Sequence, residues 1–174
     1  LKMEQPALFE KIKYSLHLPQ YISSIFSRDV CSELTSIGCH TALWNFSKGN
    51  YHKWVTENNI LSKLAPVQPS DQLFNTKIND TEIHAAIGLH DSSAALIPYL
   101  HLTKEPFLLI STGTWCISLN PFNNHPLTEA ELKKDCLCYL THTGKAIKAS
   151  RLFSGKLHEE QVIKIAAHYQ LKPK

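Results

Sequence analysis

Apolar side chains recur at helical spacing through residues 7–26, ALFEKIKYSLHLPQYISSIF, and Pro19 interrupts the run. The pattern predicts a short helix, a break at Leu18-Pro19, and a second helix through Phe26. Residues 29–47 are rich in Ser, Thr and Cys without a clear period, which predicts loop with short extended pieces. From Asn50 a helix is expected to reach Asn59, and Ile60 to Leu64 forms a second short one. Pro66 and Pro69 then force extended chain. Lys77 to Leu89 predicts one strand, or two with a turn at Asn79-Asp80, ending in the apolar run Ala85-Ala86-Ile87. Ser92 to Leu100 is small and apolar, the pattern of a buried helix with Asp91 or Ser92 as its N-cap.

The second half alternates differently. Pro106 to Ile110 is a short apolar run of the kind buried in a sheet, Ser111 to Thr114 a turn, and Trp115 to Leu119 a returning strand. Leu127 to Leu132 opens a helix with Thr128 as N-cap and Glu131 at the capping-box position. Cys136 to Thr141 and Ala146 to Ala149 are candidates for paired strands about Thr143-Gly144-Lys145. Glu159 to Tyr169 is an amphipathic helix. There are no repeats and no low-complexity tracts.

Composition narrows the class. In 174 residues, 43% hydrophobic and 19% charged, the chain is too apolar for disorder and long enough to bury a core. The formal charge of +3 is mildly basic, with Lys and Arg scattered, so no nucleic-acid footprint is present. No apolar stretch approaches the ~18 residues of a membrane span, and no signal-peptide pattern is seen. Five cysteines (Cys31, Cys39, Cys116, Cys136 and Cys138), odd in number and irregular in spacing, argue against a disulfide framework and suit a reducing cytoplasm. Cys136, Cys138 and His142 lack the fourth ligand of a structural zinc site. Trp44, Trp54 and Trp115 are expected in the core, with lining a cleft the less common alternative for Trp115. For Lys145, Lys148 and Arg151 a solvated face is the default and a phosphate role the alternative. A chain that begins at Leu1, with Met3 its only methionine, is expected to continue upstream.

Two segments carry chemistry. In Gly88-Leu89-His90-Asp91-Ser92-Ser93-Ala94-Ala95 a strand runs through a glycine into an acidic residue at the start of a helix. A carboxylate at a strand end, beside free helix N–H groups, can take the proton of a hydroxyl that attacks a phosphoryl group. Taken alone, a helix cap is the commoner use of such an aspartate. In Leu108 to Trp115, a strand meets the turn Ser111-Thr112-Gly113-Thr114, whose N–H and hydroxyl donors suit phosphate oxygens. It lacks the lysine and spacing of a Walker loop, and taken alone such a turn is usually just a hairpin.

In this order the two segments resemble the FGGY carbohydrate kinases, the family of glycerol, xylulose, fucose and rhamnulose kinases. His-Asp together with Gly113-Thr114-Trp115 is most similar to the rhamnulokinase and fuculokinase branch. The resemblance implies that Asp91 is the catalytic base, that His90, Asp91 and Ser92 contact the sugar, and that Ser111, Thr112, Gly113 and Thr114 contact the phosphates of ATP. Leu16 to Ile22 resembles the family's Leu-Pro-Gln/Asp-Tyr helix, and Ser32 to Trp44, the helix around Trp54 and Leu64 to Val67 resemble the segment after it.

The fold so implied is α/β and actin-like (ribonuclease H-like), present in part. Residues 1–100 would close an N-terminal domain and residues 101–174 open its partner. The implied reaction transfers phosphate from ATP, with Mg2+, to a ketose or deoxy-ketose in the cytoplasm. The partners are then a small sugar and ATP, with no nucleic acid and no membrane, and a homodimer is compatible. The family's Asp-x-Gly phosphate loop, its Gly-Gly adenosine motif and an asparagine expected near Ser150 to Gly155 are absent. These absences leave the sugar open and imply that the 174 residues alone are inactive. The alternative is a non-catalytic relative that binds a sugar or a protein; another actin-fold ATPase, such as a chaperone, is a third reading.

Overall fold

Two prolines set where the first helices begin. Pro6 stands in the first turn of α1 (Pro6–Lys11) and Pro19 in the first turn of α2 (Leu18–Ser27), where the missing N–H costs nothing. The computed structural model describes residues 1–172. Pro19 thus helps to start the second helix, and the break expected at Leu18-Pro19 spans residues 12–17 instead. Residues 29–47, expected as loop, contain a helix, α3 (Leu34–His40). It is built on Glu33, a wholly buried N-cap whose carboxylate accepts the N–H groups of Thr35 (2.9 Å) and Ser36 (3.2 Å). The Glu33 carboxylate also accepts the hydroxyls of Thr35 (2.5 Å) and Ser70.

Next come β1 (Trp44–Asn45) and β2 (Asn50–Tyr51), a minimal antiparallel pair with Trp44 edge-on to Tyr51 at 5.3 Å. Asn50 and Tyr51 are therefore strand, and the helix expected from Asn50 is confined to α4 (Lys53–Glu57). One 3-10 turn follows at Leu61–Lys63. A six-residue antiparallel hairpin joins β3 (Leu73–Ile78) to β4 (Thr81–Ala86), the two-strand form of the expectation. Asn79 and Asp80 both have positive φ, at 47° and 64°, which a two-residue turn of this handedness requires.

The helix after the hairpin, α5 (Asp91–Leu102), packs on a four-stranded antiparallel sheet of order β5-β6-β8-β7. Its strands are β5 (Leu109–Ser111), β6 (Cys116–Asn120), β7 (Cys136–Leu140) and β8 (Ala146–Leu152). Leu96 of α5 meets Leu119, Tyr139, Ile147 and Ala149 in the main buried cluster. Each fully buried Leu or Ile there contributes about 1.5–3 kcal/mol. β5 is an edge strand, and Leu108 and Ile110 are 56% exposed, so the burial expected of that run is not found. Trp54 and Trp115 are also exposed rather than in the core.

Between β6 and β7 lies the one-turn α6 (Glu129–Leu132), with the expected Thr128–Glu131 capping box. The last helix, α7 (Ser154–His168), starts five residues earlier than its apolar pattern shows. Glu131 also forms an ion pair with Lys148 of β8, whose side chain is largely buried. Hydrogen bonds from Lys148 and from the Thr128 backbone and hydroxyl hold the Glu131 carboxyl down at about 2. A depressed carboxylate stabilises fully above its unfolded value near ~4.3 and loses that contribution as pH falls toward about 2. Wild type should therefore melt above Glu131→Gln at pH 6, with the gap closing between about pH 4 and 2, as scanning calorimetry would read. A gap that persists unchanged at pH 2 would contradict this.

Candidate active site

The loop between β4 and α5 is braced from two sides. Gln20 Nε2 of α2 donates to the Gly88 carbonyl at 2.7 Å, and Ser23 Oγ to the Ala86 carbonyl at 2.6 Å. Gly88 has φ +81°, and a Cβ there would lie 2.9 Å from the Pro19 carbonyl oxygen. Left-handed backbone and close approach together demand glycine. From the other side, Thr35 Oγ1 accepts the His90 N–H at 2.9 Å while its own proton goes to Glu33. The Glu33 cap thereby orients the residue that precedes Asp91.

His90 and Asp91 face opposite surroundings. The His90 side chain is 8% exposed and that of Asp91 93%. His90 Nε2 lies 3.1 Å from Cys39 Sγ and 3.2 Å from Asp91 Oδ1, and its ring stands edge-on to Tyr139 at 5.4 Å. Burial pushes the Cys39 thiol and the Tyr139 hydroxyl up, so both stay neutral at pH 7. Asp91 is the first residue of α5 and not its cap: His90 holds the N-cap position, without a side-chain cap bond. Asp91 Oδ1 accepts the Ser92 N–H at 2.6 Å and lies 3.4 Å from Ser92 Oγ. Among the described residues Oδ2 has no hydrogen-bond partner. A carboxylate in the first turn is favoured by the helix dipole, and its open oxygen faces solvent.

The second segment is gripped by α7. The Gly113 carbonyl accepts Ser154 Oγ at 2.7 Å, and the Thr114 carbonyl accepts the Gly155 N–H at 2.9 Å. A trans peptide sets C=O and N–H in opposite directions. With both carbonyls turned to α7, the N–H groups of Thr114 and Trp115 point away from it, in a stretch, Ser111 to Trp115, whose residues are all on the surface. That is a donor arrangement suited to an anion. Gly113 has no left-handed φ, and a Cβ there would meet only the Trp115 carbonyl at 3.8 Å, so the fold itself does not require glycine.

Register links the two segments. Ser111 pairs with Ile117, and Ile117 with Arg151, so these three side chains share the sheet face that α5 covers. The charges of Asp91 and Arg151 act with opposite sign on the same two groups, Cys39 and Tyr139. The expected cluster of Lys145, Lys148 and Arg151 is thus divided: Lys148 pairs with Glu131, while Arg151 turns toward the site. Thr35, Cys39, Tyr139 and Arg151 were not legible as site residues, because each reaches His90 or Asp91 from 49 to 60 positions away or acts through a neighbour. The one signal for α2 was the Leu18-Pro19-Gln20 run, whose Pro19 and Gln20 hold Gly88.

Solved structures similar in fold to this chain include carbohydrate kinases. The chain is similar to a carbohydrate kinase from Novosphingobium aromaticivorans, with TM-score 0.73 and 24% identity, over 92% of this chain and 38% of that one. A xylulose kinase from Rhodospirillum rubrum matches with TM-score 0.69 and 12% identity, over 97% of this chain and 37% of that one. A ligand-bound xylulose kinase from Lactobacillus acidophilus gives 0.71 and 14%, over 99% and 36%. The chain therefore has the mixed α/β fold of part of these kinases and spans a little over a third of their length. No family model and no curated protein matches it.

Proposed function

We propose that the chain carries the phosphoryl-acceptor site of an ATP-dependent sugar kinase, with Asp91 as the general base. The observation that carries this reading is the Asp91 carboxylate, solvent-facing at the start of α5 on a loop held by α2 and Thr35. Such a group can take the proton of a sugar hydroxyl as its oxygen attacks the terminal phosphorus of ATP, giving sugar phosphate and ADP. Buried His90 fixes the carboxylate through Nε2, and the Ser92 N–H holds Oδ1, so Oδ2 is left for the hydroxyl proton. The Thr114 and Trp115 N–H groups and the hydroxyls of Ser111, Thr112 and Thr114 would receive phosphate oxygens.

Residues 1–100 then belong to the first domain of an actin-like kinase and residues 101–174 to the second. His90-Asp91 with Gly113-Thr114-Trp115 favours a ketose or deoxy-ketose of the rhamnulokinase and fuculokinase type. Among the described residues no group of three or more His, Cys, Asp or Glu is gathered to hold a metal ion. Mg2+ would neutralise charge on the nucleotide phosphates.

The test is ADP release by the polypeptide as its source produces it, over a panel of ketoses and deoxy-ketoses with ATP and Mg2+. The reading expects one sugar class to raise release well above the sugar-free rate. Sugar binding with no ADP formed would instead identify a non-catalytic relative.

A further inference from the structure

Arg151 is the member of the basic cluster that the fold turns into the site, and its surroundings give it more than a structural use. Its Nε donates to Asp135 Oδ2 at 2.8 Å, and its guanidinium carbon lies 5.6 Å from the centre of the Trp115 ring. Trp115 in turn stacks on Phe153, with ring centres 4.5 Å apart and planes 14° from parallel. Trp115, itself backed by Phe153, thus flanks the guanidinium, next to the turn residue Thr114. Among the described residues only Nε is hydrogen-bonded, and the side chain is 43% exposed. The two terminal nitrogens therefore keep their donors free, in the planar fork that suits a phosphate. On the neighbouring strands Ser111 shares Arg151's face through Ile117, and three residues on, Ser154 and Gly155 grip the turn.

We infer that Arg151 is a phosphate-binding residue of this site, its terminal nitrogens meeting the oxygens of the nucleotide phosphoryl group seated on the Ser111–Thr114 turn. The inference rests on the kinase reading for the identity of the nucleotide. The geometry alone points to a phosphate-bearing anion, whether a nucleotide or a free polyphosphate. Lys cannot replace the fork, only the charge. Asp135 serves as the control, because its exposed ion pair meets only Nε, leaves both terminal nitrogens free and adds little stability.

The experiment titrates the polypeptide with inorganic tripolyphosphate by calorimetry, comparing wild type, Arg151→Gln, Arg151→Lys and Asp135→Asn. Melting curves are run on each to establish that it folds. Arg151→Gln should bind about 10–100-fold more weakly, as loss of a charge-assisted donor pair implies. Arg151→Lys should fall between, and Asp135→Asn should stay within about threefold of wild type. Equal binding by Arg151→Gln and wild type overturns the inference, and so does no binding by wild type. An equal loss in Asp135→Asn also overturns it, since that would mark a structural ion pair. The kinase reading is judged separately. Arg151-dependent tripolyphosphate binding without sugar-dependent ADP release sinks that reading and leaves Arg151 as a polyphosphate contact. Sugar-dependent turnover with unaltered tripolyphosphate binding and KM for ATP in Arg151→Gln sinks the Arg151 assignment alone.

Discussion

Asp91→Asn is expected to lower kcat about 10²–10⁴-fold, the usual cost of removing a general base. The amide keeps the size of the carboxylate and the bond from the Ser92 N–H, but cannot take a proton. Because the side chain is almost fully exposed, the fold should hardly notice. Loss of the favourable charge at the α5 N-terminus costs about 0.3–1 kcal/mol at most. KM for ATP should stay near wild type, since the phosphate donors lie on another segment. The check is steady-state turnover at saturating sugar and ATP beside a melting curve of the same preparation. A kcat within tenfold of wild type would mean that Asp91 is not the base.

Glu33→Ala is expected to be the most destabilising single change in this region. It strips the buried acceptor from two backbone N–H groups and two hydroxyls at once. Each unsatisfied buried donor costs about 1–3 kcal/mol, and the whole network about 3–5 kcal/mol. That is a large share of the stability of a domain worth about 5–15 kcal/mol. Urea denaturation should show the midpoint collapse, while Glu33→Gln, which keeps one acceptor oxygen, should lose roughly half as much. Freed from Glu33, Thr35 would also hold the His90 N–H less firmly, so amide exchange at His90 should quicken in Glu33→Ala. A stability loss below about 1 kcal/mol would show that the buried carboxylate is not what holds α3.

Local chemistry made part of this architecture legible. Asn79-Asp80 announces a hairpin because both residues tolerate positive φ, and Thr128 with Glu131 announces a helix start because the two side chains cap each other. Long-range structure hid the rest. Only Leu34, Ile37 and Cys39 of α3 are apolar, and its cap is a glutamate rather than the usual short polar residue, so nothing local separates it from loop. The helix exists because Glu33 is buried against Ser70 and because Gly38 lets α3 approach Leu140, where a Cβ would lie 2.7 Å from the Leu140 side chain. The site divides in the same way. His90-Asp91-Ser92 and Ser111 to Thr114 stand out as short runs at element boundaries. The Cys39 and Tyr139 that surround His90, and the Arg151 beside the turn, come together only through the packing of α3 and the pairing of β7 with β8. Periodicity likewise misjudged β5, because an apolar strand at a sheet edge reads the same as one at its centre.

The measurement closest to the central claim is phosphorus NMR of the wild-type reaction, with ATP, Mg2+ and the ketose that best stimulates ADP release. The account predicts a new phosphate-ester resonance growing in step with ADP, one for one, and growing at least about 100-fold more slowly when Asp91→Asn replaces wild type. ADP accompanied by inorganic phosphate in equal amount, whether or not sugar is present, would contradict it and make the chain part of an ATPase whose acceptor is water.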